Sequence, residues 1–150
     1  MEKERTLVLI KPDAMAKCLA GYILNDLYSL NLKIIGLKLI KPTRELAEKH
    51  YEEHRGKPFF ENLIEHITGK LHNDENVIAI VYEGGNAVEK VRKAVGKSNP
   101  DESPPNTIRG KYGKIHTKTN CFETVIHASD SRESAEREIN LWFDKNDLTE

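Results

Sequence analysis

Four short runs rich in Val, Ile and Leu, at residues 6–10, 33–41, 76–82 and 122–126, limit what this chain can fold into. Each has the length of a strand, and segments with helical periodicity separate them. The first run ends at Lys11-Pro12-Asp13, a turn signal. Ala20, Ile23, Leu24 and Leu27 then recur at helical spacing, which predicts an amphipathic helix near 19–30. Thr43 is placed to cap a second helix whose inner face holds Leu46, Ala47, His50, Tyr51 and His54. Pro58 opens a third, with Phe59, Leu63, Ile64 and Ile67 on its buried side. Ala87, Val88, Val91 and Val95 mark a fourth, ending at Gly96. Residues 97–106 turn to Ser, Asn, Pro, Asp and Glu and read as a surface loop. Asp130 with Glu133 makes a capping box for a last helix facing inward through Ala135, Ile139 and Trp142.

The core of that order is βαββαβ. It predicts an α+β fold of ferredoxin-like topology, an antiparallel sheet with helices on one face, plus extra helices and a C-terminal segment. A doubly wound parallel sheet is the alternative, disfavoured because only one crossover between neighbouring strands is long and simple. A length of 150 residues suits one domain over residues 1–150.

Charge narrows the function. A formal net charge of -1 with 31% charged residues offers neither a nucleic-acid nor a membrane surface, so any anion site must be a local cluster. The apolar runs are too short to span a bilayer. Cys18 and Cys121 lack metal or redox spacing, and the charged start, residues 1–5, carries no signal-peptide pattern; a cytoplasmic protein with free thiols is expected.

The segment Val125-Ile126-His127-Ala128-Ser129-Asp130-Ser131 sets a histidine at a strand end, beside a helix start. A helix N-terminus favours anions, and neutral imidazole, with an ordinary pKa of roughly 6.5, has a nucleophilic lone pair near neutral pH. Glu138, eleven residues on, is spaced to turn its carboxylate back and fix one ring nitrogen as N–H. A lone histidine is by default a hydrogen-bonded structural one. Lys11, Arg92 and Arg109 are the candidate phosphate clamp, because phosphoryl transfer asks mainly for converging cations; each alone reads by default as a solvated surface charge, and spacing does not show that they converge.

Ile10-Lys11-Pro12-Asp13-Ala14, His50-Tyr51, Lys57-Pro58-Phe59-Phe60, Ser98-Asn99-Pro100, Thr107-Ile108-Arg109-Gly110 and Ile126-His127-Ala128-Ser129-Asp130 occur in that order. Together, over essentially residues 4–143, they resemble the nucleoside diphosphate kinase family. The resemblance implies ping-pong transfer of a γ-phosphoryl group from a nucleoside triphosphate to a diphosphate through a phosphohistidine at His127. It implies phosphate and transition-state roles for Lys11, Tyr51, Arg92 and Arg109, base stacking for Phe59, and a phosphate contact for Ser98, where the family usually has threonine. Ser129 and Glu138 match the partners of the histidine. Mg²⁺ is expected to arrive with the nucleotide, held by no direct protein ligand and by Asp130 through water. A homo-oligomer, hexamer or tetramer, is implied, with no stable nucleic-acid partner and no membrane.

The departures are informative. Thr124 stands where the family usually has an asparagine that contacts the sugar hydroxyl, with Asn120 a substitute if its loop folds back. Asn106 replaces the usual glycine, Lys111-Tyr112 the usual Asp-aromatic pair, and residues 70–75 and 114–121 are each a few residues longer than typical. Two other readings compete. His50-Tyr51-Glu52-Glu53-His54 fits the inverted zinc-peptidase pattern, but so short a pattern arises easily in a charged helix. A non-catalytic nucleotide- or nucleic-acid-binding module of the same fold is the second. Residues 6–10 and 76–82 lack the paired exposed aromatics of an RNA-binding sheet.

Overall fold

Along the first strand the side chains alternate between two cores: Leu7 and Leu9 enter one hydrophobic cluster, Val8 and Ile10 the other. A strand apolar on both faces requires cover on both, and the whole architecture follows from that. The computed structural model describes residues 2–149. In chain order the elements are β1 (Lys3–Ile10), α1 (Pro12–Ala16), α2 (Ala20–Tyr28), β2 (Lys33–Ile40), α3 (Arg44–His50), α4 (Phe60–Ile67), β3 (Val77–Gly85) and α5 (Ala87–Val95). They continue with α6 (Ile108–Tyr112), β4 (Lys114–Ile115), β5 (Phe122–Glu123), β6 (Ile126–Ala128) and α7 (Arg132–Trp142).

The main sheet has the order β2-β3-β1-β6, every pairing antiparallel. This is the expected ferredoxin-like arrangement. The crossover helices α2 and α5 pack on one face, through Ile23, Leu27, Val91 and Val95 against Val8, Ile10 and Ile80. The extra helices α3 and α4 and the C-terminal α7 cover the other, with Ala47, Ile64, Ile67, Ile139 and Trp142 against Leu7, Leu9 and Val81. Each such fully buried aliphatic side chain contributes on the order of 1.5–3 kcal/mol.

Three local expectations are corrected. The apolar run at 122–126 is not one strand: β5 pairs with β4 in a separate two-stranded sheet, and β6 joins the main sheet beside β1. Val125, at φ 57, makes the break. Its N–H donates to Asp13 Oδ2 at 2.9 Å and its carbonyl accepts from Lys11 N at 2.9 Å, so the turn after β1 holds a β-branched residue in the left-handed region. The helix expected to open at Pro58 begins at Phe60. The cap of α7 is Ser131, whose hydroxyl accepts from Ser134 N at 3.1 Å, not Asp130. Elsewhere the cap expectations hold: Thr43 Oγ1 accepts from Leu46 N, and Gly96 ends α5 at φ 96. At Gly96 a Cβ would lie 2.0 Å from Ser103 Oγ, so no side chain fits there.

Candidate active site

His127 pairs with Leu9 across the β6–β1 ladder, and cross-strand partners share a face. The imidazole therefore projects toward α7 and α3. There Glu138, one turn from the end of α7, places Oε1 2.8 Å from His127 Nε2. The Ser129 hydroxyl donates to the same oxygen at 2.8 Å and accepts from Leu7 N at 3.2 Å. Glu138 and Ser129 are buried, at 4% and 0% exposure, so this arrangement is rigid and dry. A carboxylate only accepts, so Nε2 carries the proton and Nδ1 keeps the lone pair.

His50 is part of the same constellation. Its ring stands edge-on to His127, centroids 4.4 Å apart at 78°, and its Nδ1 accepts from Trp142 Nε1 at 3.1 Å. Burial, reinforced by His127, Arg137 and Lys11, holds its pKa well below the ordinary imidazole value, so it packs as a neutral ring. The sequence marked His50 as an inward helix position, a member of the His50-Tyr51 motif and one end of the zinc-peptidase pattern, and gave it no place beside His127. α3 ends at His50 and His54 lies in a separate 3-10 turn, so the pair shares no helix face and the zinc-peptidase reading fails.

A cavity of about 500 Å³ opens in front of His127, lined among others by Lys11, Tyr51, Phe59, Ser98, Arg109 and Thr124. Lys11 is buried at 4% exposure, and its Nζ donates to Thr124 Oγ1 at 3.0 Å. Burial pulls its pKa down, opposed by the nearby Asp13 charge. Arg109 is held by two carbonyls, Nη2 donating to Ile126 O at 3.0 Å and Nη1 to Gly96 O at 3.4 Å. Its Nε is buried without a partner, and burial, then the neighbouring Arg92, draws its pKa to about 10. Neither cation hydrogen-bonds a carboxylate among the described residues. Two buried cations facing one cavity, neither hydrogen-bonded to a carboxylate, are costly unless an anion enters.

The neutral contacts fit the same ligand. Tyr51 is 9% exposed and burial pushes its phenol up, so it stays a hydrogen-bond donor. Phe59 stands at the rim, 43% exposed, whereas its neighbour Phe60 packs against the α3–α4 core. The β4–β5 loop folds back, bringing Asn120, Cys121 and Phe122 into the cavity wall. Arg92 stays outside the wall, half-buried on α5, close enough in charge to act on Arg109 and Asp130. Asp130 is exposed, and a hydrogen bond from Ser134 lowers its carboxyl below the usual range, so it is ionised at neutral pH. No helix among the described residues is long and apolar enough to cross a membrane.

Comparison with known proteins gives a consistent result. The sequence profile of the family described as nucleoside diphosphate kinase matches residues 4–148. A nucleoside diphosphate kinase of Pyrococcus furiosus is 52% identical over 149 residues, covering 99% of this chain and 88% of its own. The structure of a Halobacterium salinarum nucleoside diphosphate kinase in complex with CDP superposes with a TM-score of 0.86 at 38% identity, over 99% of this chain and 93% of that one. A Borrelia burgdorferi nucleoside-diphosphate kinase with bound vanadate and ADP, described as a transition-state mimic, gives 0.86 at 29% identity, over 99% of this chain and 91% of that one.

Proposed function

Because this chain belongs to the nucleoside diphosphate kinase family and is a phosphotransferase acting on nucleotides, we propose that His127 is its phosphate carrier. The observation that carries the residue assignment is the 2.8 Å contact between Glu138 Oε1 and His127 Nε2, which leaves Nδ1 as the nucleophile beside two buried cations that hydrogen-bond no carboxylate.

In the first half-reaction Nδ1 attacks the γ-phosphorus of a nucleoside triphosphate. The N–P bond forms as the bond to the β-phosphate oxygen breaks, and the diphosphate leaves with its electron pair. The imidazole becomes cationic while Nε2 keeps its proton, and the Glu138 carboxylate counters that charge. Lys11 and Arg109 counter the charge gathering on the phosphate oxygens, Arg92 approaches from outside the wall, and Tyr51 and Ser98 donate hydrogen bonds. Thr124 holds the Lys11 ammonium in place, and it and Asn120 are the nearest groups for the sugar. Phe59 stacks on the base, tolerant of base identity because every base has a π-face. A second diphosphate then takes the phosphoryl group by the reverse step.

Mg²⁺ fits as part of the nucleotide rather than as a resident ion. The cavity offers no cage of oxygens, and ionised Asp130 beside it suits a water-mediated contact. Bound there with the nucleotide, the ion would supply positive charge to the phosphates, with Asp130 as the side chain that would hold it through water.

Residues 1–150 are read as a single domain, located in the cytoplasm and acting as a homo-oligomer, hexamer or tetramer. The edge strand β2 supports the oligomer, since Ile34, Leu37 and Leu39 are exposed on it at 44%, 53% and 62%. Initial-rate kinetics test the reaction: varying donor and acceptor together gives parallel double-reciprocal lines for a ping-pong carrier. Intersecting lines would mean direct transfer and remove His127 from its role.

A further inference from the structure

Behind the cavity wall, away from Glu138 and Ser129, a second group of titratable side chains converges from four parts of the chain. His66 lies in the last turn of α4, His72 on the 70–75 stretch, and Glu123 on β5, while His116 and Thr119 come from the 114–121 stretch. The 70–75 and 114–121 stretches thus meet at His66.

The contacts form a continuous line. His72 Nδ1 is 3.6 Å from Glu123 Oε1, and His72 Nε2 is 3.3 Å from His66 Nδ1. His66 Nε2 is 3.4 Å from Thr119 Oγ1, which is 3.2 Å from His116 Nδ1. One ligand atom from each of His66, His72 and Glu123 lies within 4.8 Å of the other two. The cluster is enclosed: His66 is 2% exposed, and the His72 and Glu123 side chains 8% and 4%. Glu123 Oε2 is buried with no hydrogen-bond partner, Lys114 and Lys17 standing off at 3.5 and 3.7 Å. Burial disfavours the charged form of both imidazoles, bringing His66 to about 4.

We propose that His66, His72 and Glu123 bind one divalent transition-metal ion of the zinc class, which ties α4, the 70–75 stretch and β5 together behind the nucleotide cavity. Two imidazole nitrogens and one carboxylate oxygen suit such an ion, whereas Mg²⁺ and Ca²⁺ take oxygen sets. A tetrahedral zinc site with bonds of about 2.0–2.1 Å needs ligand atoms roughly 3.4 Å apart, so the three close in by about 1 Å around the ion. His72, on irregular chain rather than a helix or strand, supplies that movement and presents one nitrogen. The fourth position is left for water. The other compact group, His50, His127 and Glu138, is already committed to the reactive histidine. The new site touches function through β5: Phe122 and Thr124 flank Glu123, and both line the cavity.

The test uses chelator-treated, nucleotide-free protein titrated with Zn²⁺ by calorimetry and with Co²⁺ by visible absorption, and reads no activity. The wild-type chain is expected to bind one equivalent of Zn²⁺, to give the intense visible bands of four-coordinate Co²⁺, and to melt at higher temperature as free Zn²⁺ rises. His72→Ala truncates a loop side chain; it should keep the metal-free melting temperature and lose the tight equivalent, Kd rising more than about 100-fold, beyond the loss of an outer partner. Glu123→Gln, close in volume, should weaken binding in the same direction. His127→Ala should bind as the wild type does. Absence of a tight equivalent in the wild type, an unchanged equivalent in both His72→Ala and Glu123→Gln, or its loss in His127→Ala would each overturn the proposal.

Discussion

Replacing Glu138 by Gln isolates what its charge does for His127. The amide oxygen can still accept from His127 Nε2–H and from the Ser129 hydroxyl, both now 2.8 Å from Glu138 Oε1, and the side-chain volume is kept in a site only 4% exposed. What disappears is the negative charge beside an imidazole that turns cationic as the N–P bond forms. A hydrogen bond to a charged group is worth about 1.5–3 kcal/mol against about 1 kcal/mol for a neutral one, so the loss is about 1–2 kcal/mol. Since Glu138 does not line the cavity, that loss falls on the transition state and not on nucleotide binding. Single-turnover phosphorylation by ATP, followed by rapid quench, should slow about 5- to 30-fold, with the nucleotide concentration at half-saturation unchanged. An unchanged rate, or a rise in half-saturation alone, would refute the charge-stabilisation argument.

Other consequences are equally direct. Lys11→Met removes a buried ammonium that hydrogen-bonds no carboxylate; kcat/KM should fall by about 10²–10³-fold while the melting temperature holds or rises, as calorimetry will check. Thr124→Val strips the hydroxyl that accepts from Lys11 Nζ; kcat should fall several-fold, and Thr124→Ser should restore it. Phe59→Ala should weaken purine and pyrimidine nucleotides alike, by about 1–3 kcal/mol in equilibrium binding. His50 is held neutral in the folded chain, its pKa below the unfolded value of roughly 6.5. The unfolded chain then binds more protons as pH falls below that value, so stability declines on acidification; His50→Gln should flatten the decline in urea midpoints measured from about pH 7.5 to 4.5.

How much of this could be read from the chain depends on distance along it. Helix periodicity and caps are local, so Ala20 to Leu27, the Thr43 cap and the Gly96 stop stand where the pattern puts them. The five-residue helices α1 and α6 are too short to show a period, and neither is visible in the sequence. The run at 122–126 looks like one strand because its apolar content hides the break at Val125, which is imposed by Asp13, 112 residues away. The same limit governs the site. His127 and Glu138 lie eleven positions apart on a strand and a helix, a spacing that can be reasoned out. The meeting of Lys11 with Thr124 spans 113 positions, and neither the spacing nor the family resemblance pointed to it. The inward helical position of His50 could not reveal its contact with His127, because such a position looks alike whether it packs against leucine or another imidazole. His66, His72 and Glu123 follow no motif spacing at all; folding alone gathers them.

The most direct test of the phosphate carrier is to incubate the protein with γ-labelled ATP, isolate the chain, and map the label by peptide analysis and ³¹P NMR. The arrangement of Glu138 on Nε2 predicts an acid-labile, base-stable phosphoryl group on Nδ1 of His127, discharged by GDP as labelled GTP and absent in His127→Ala. Label on another residue, or an intermediate still formed by His127→Ala, would contradict it.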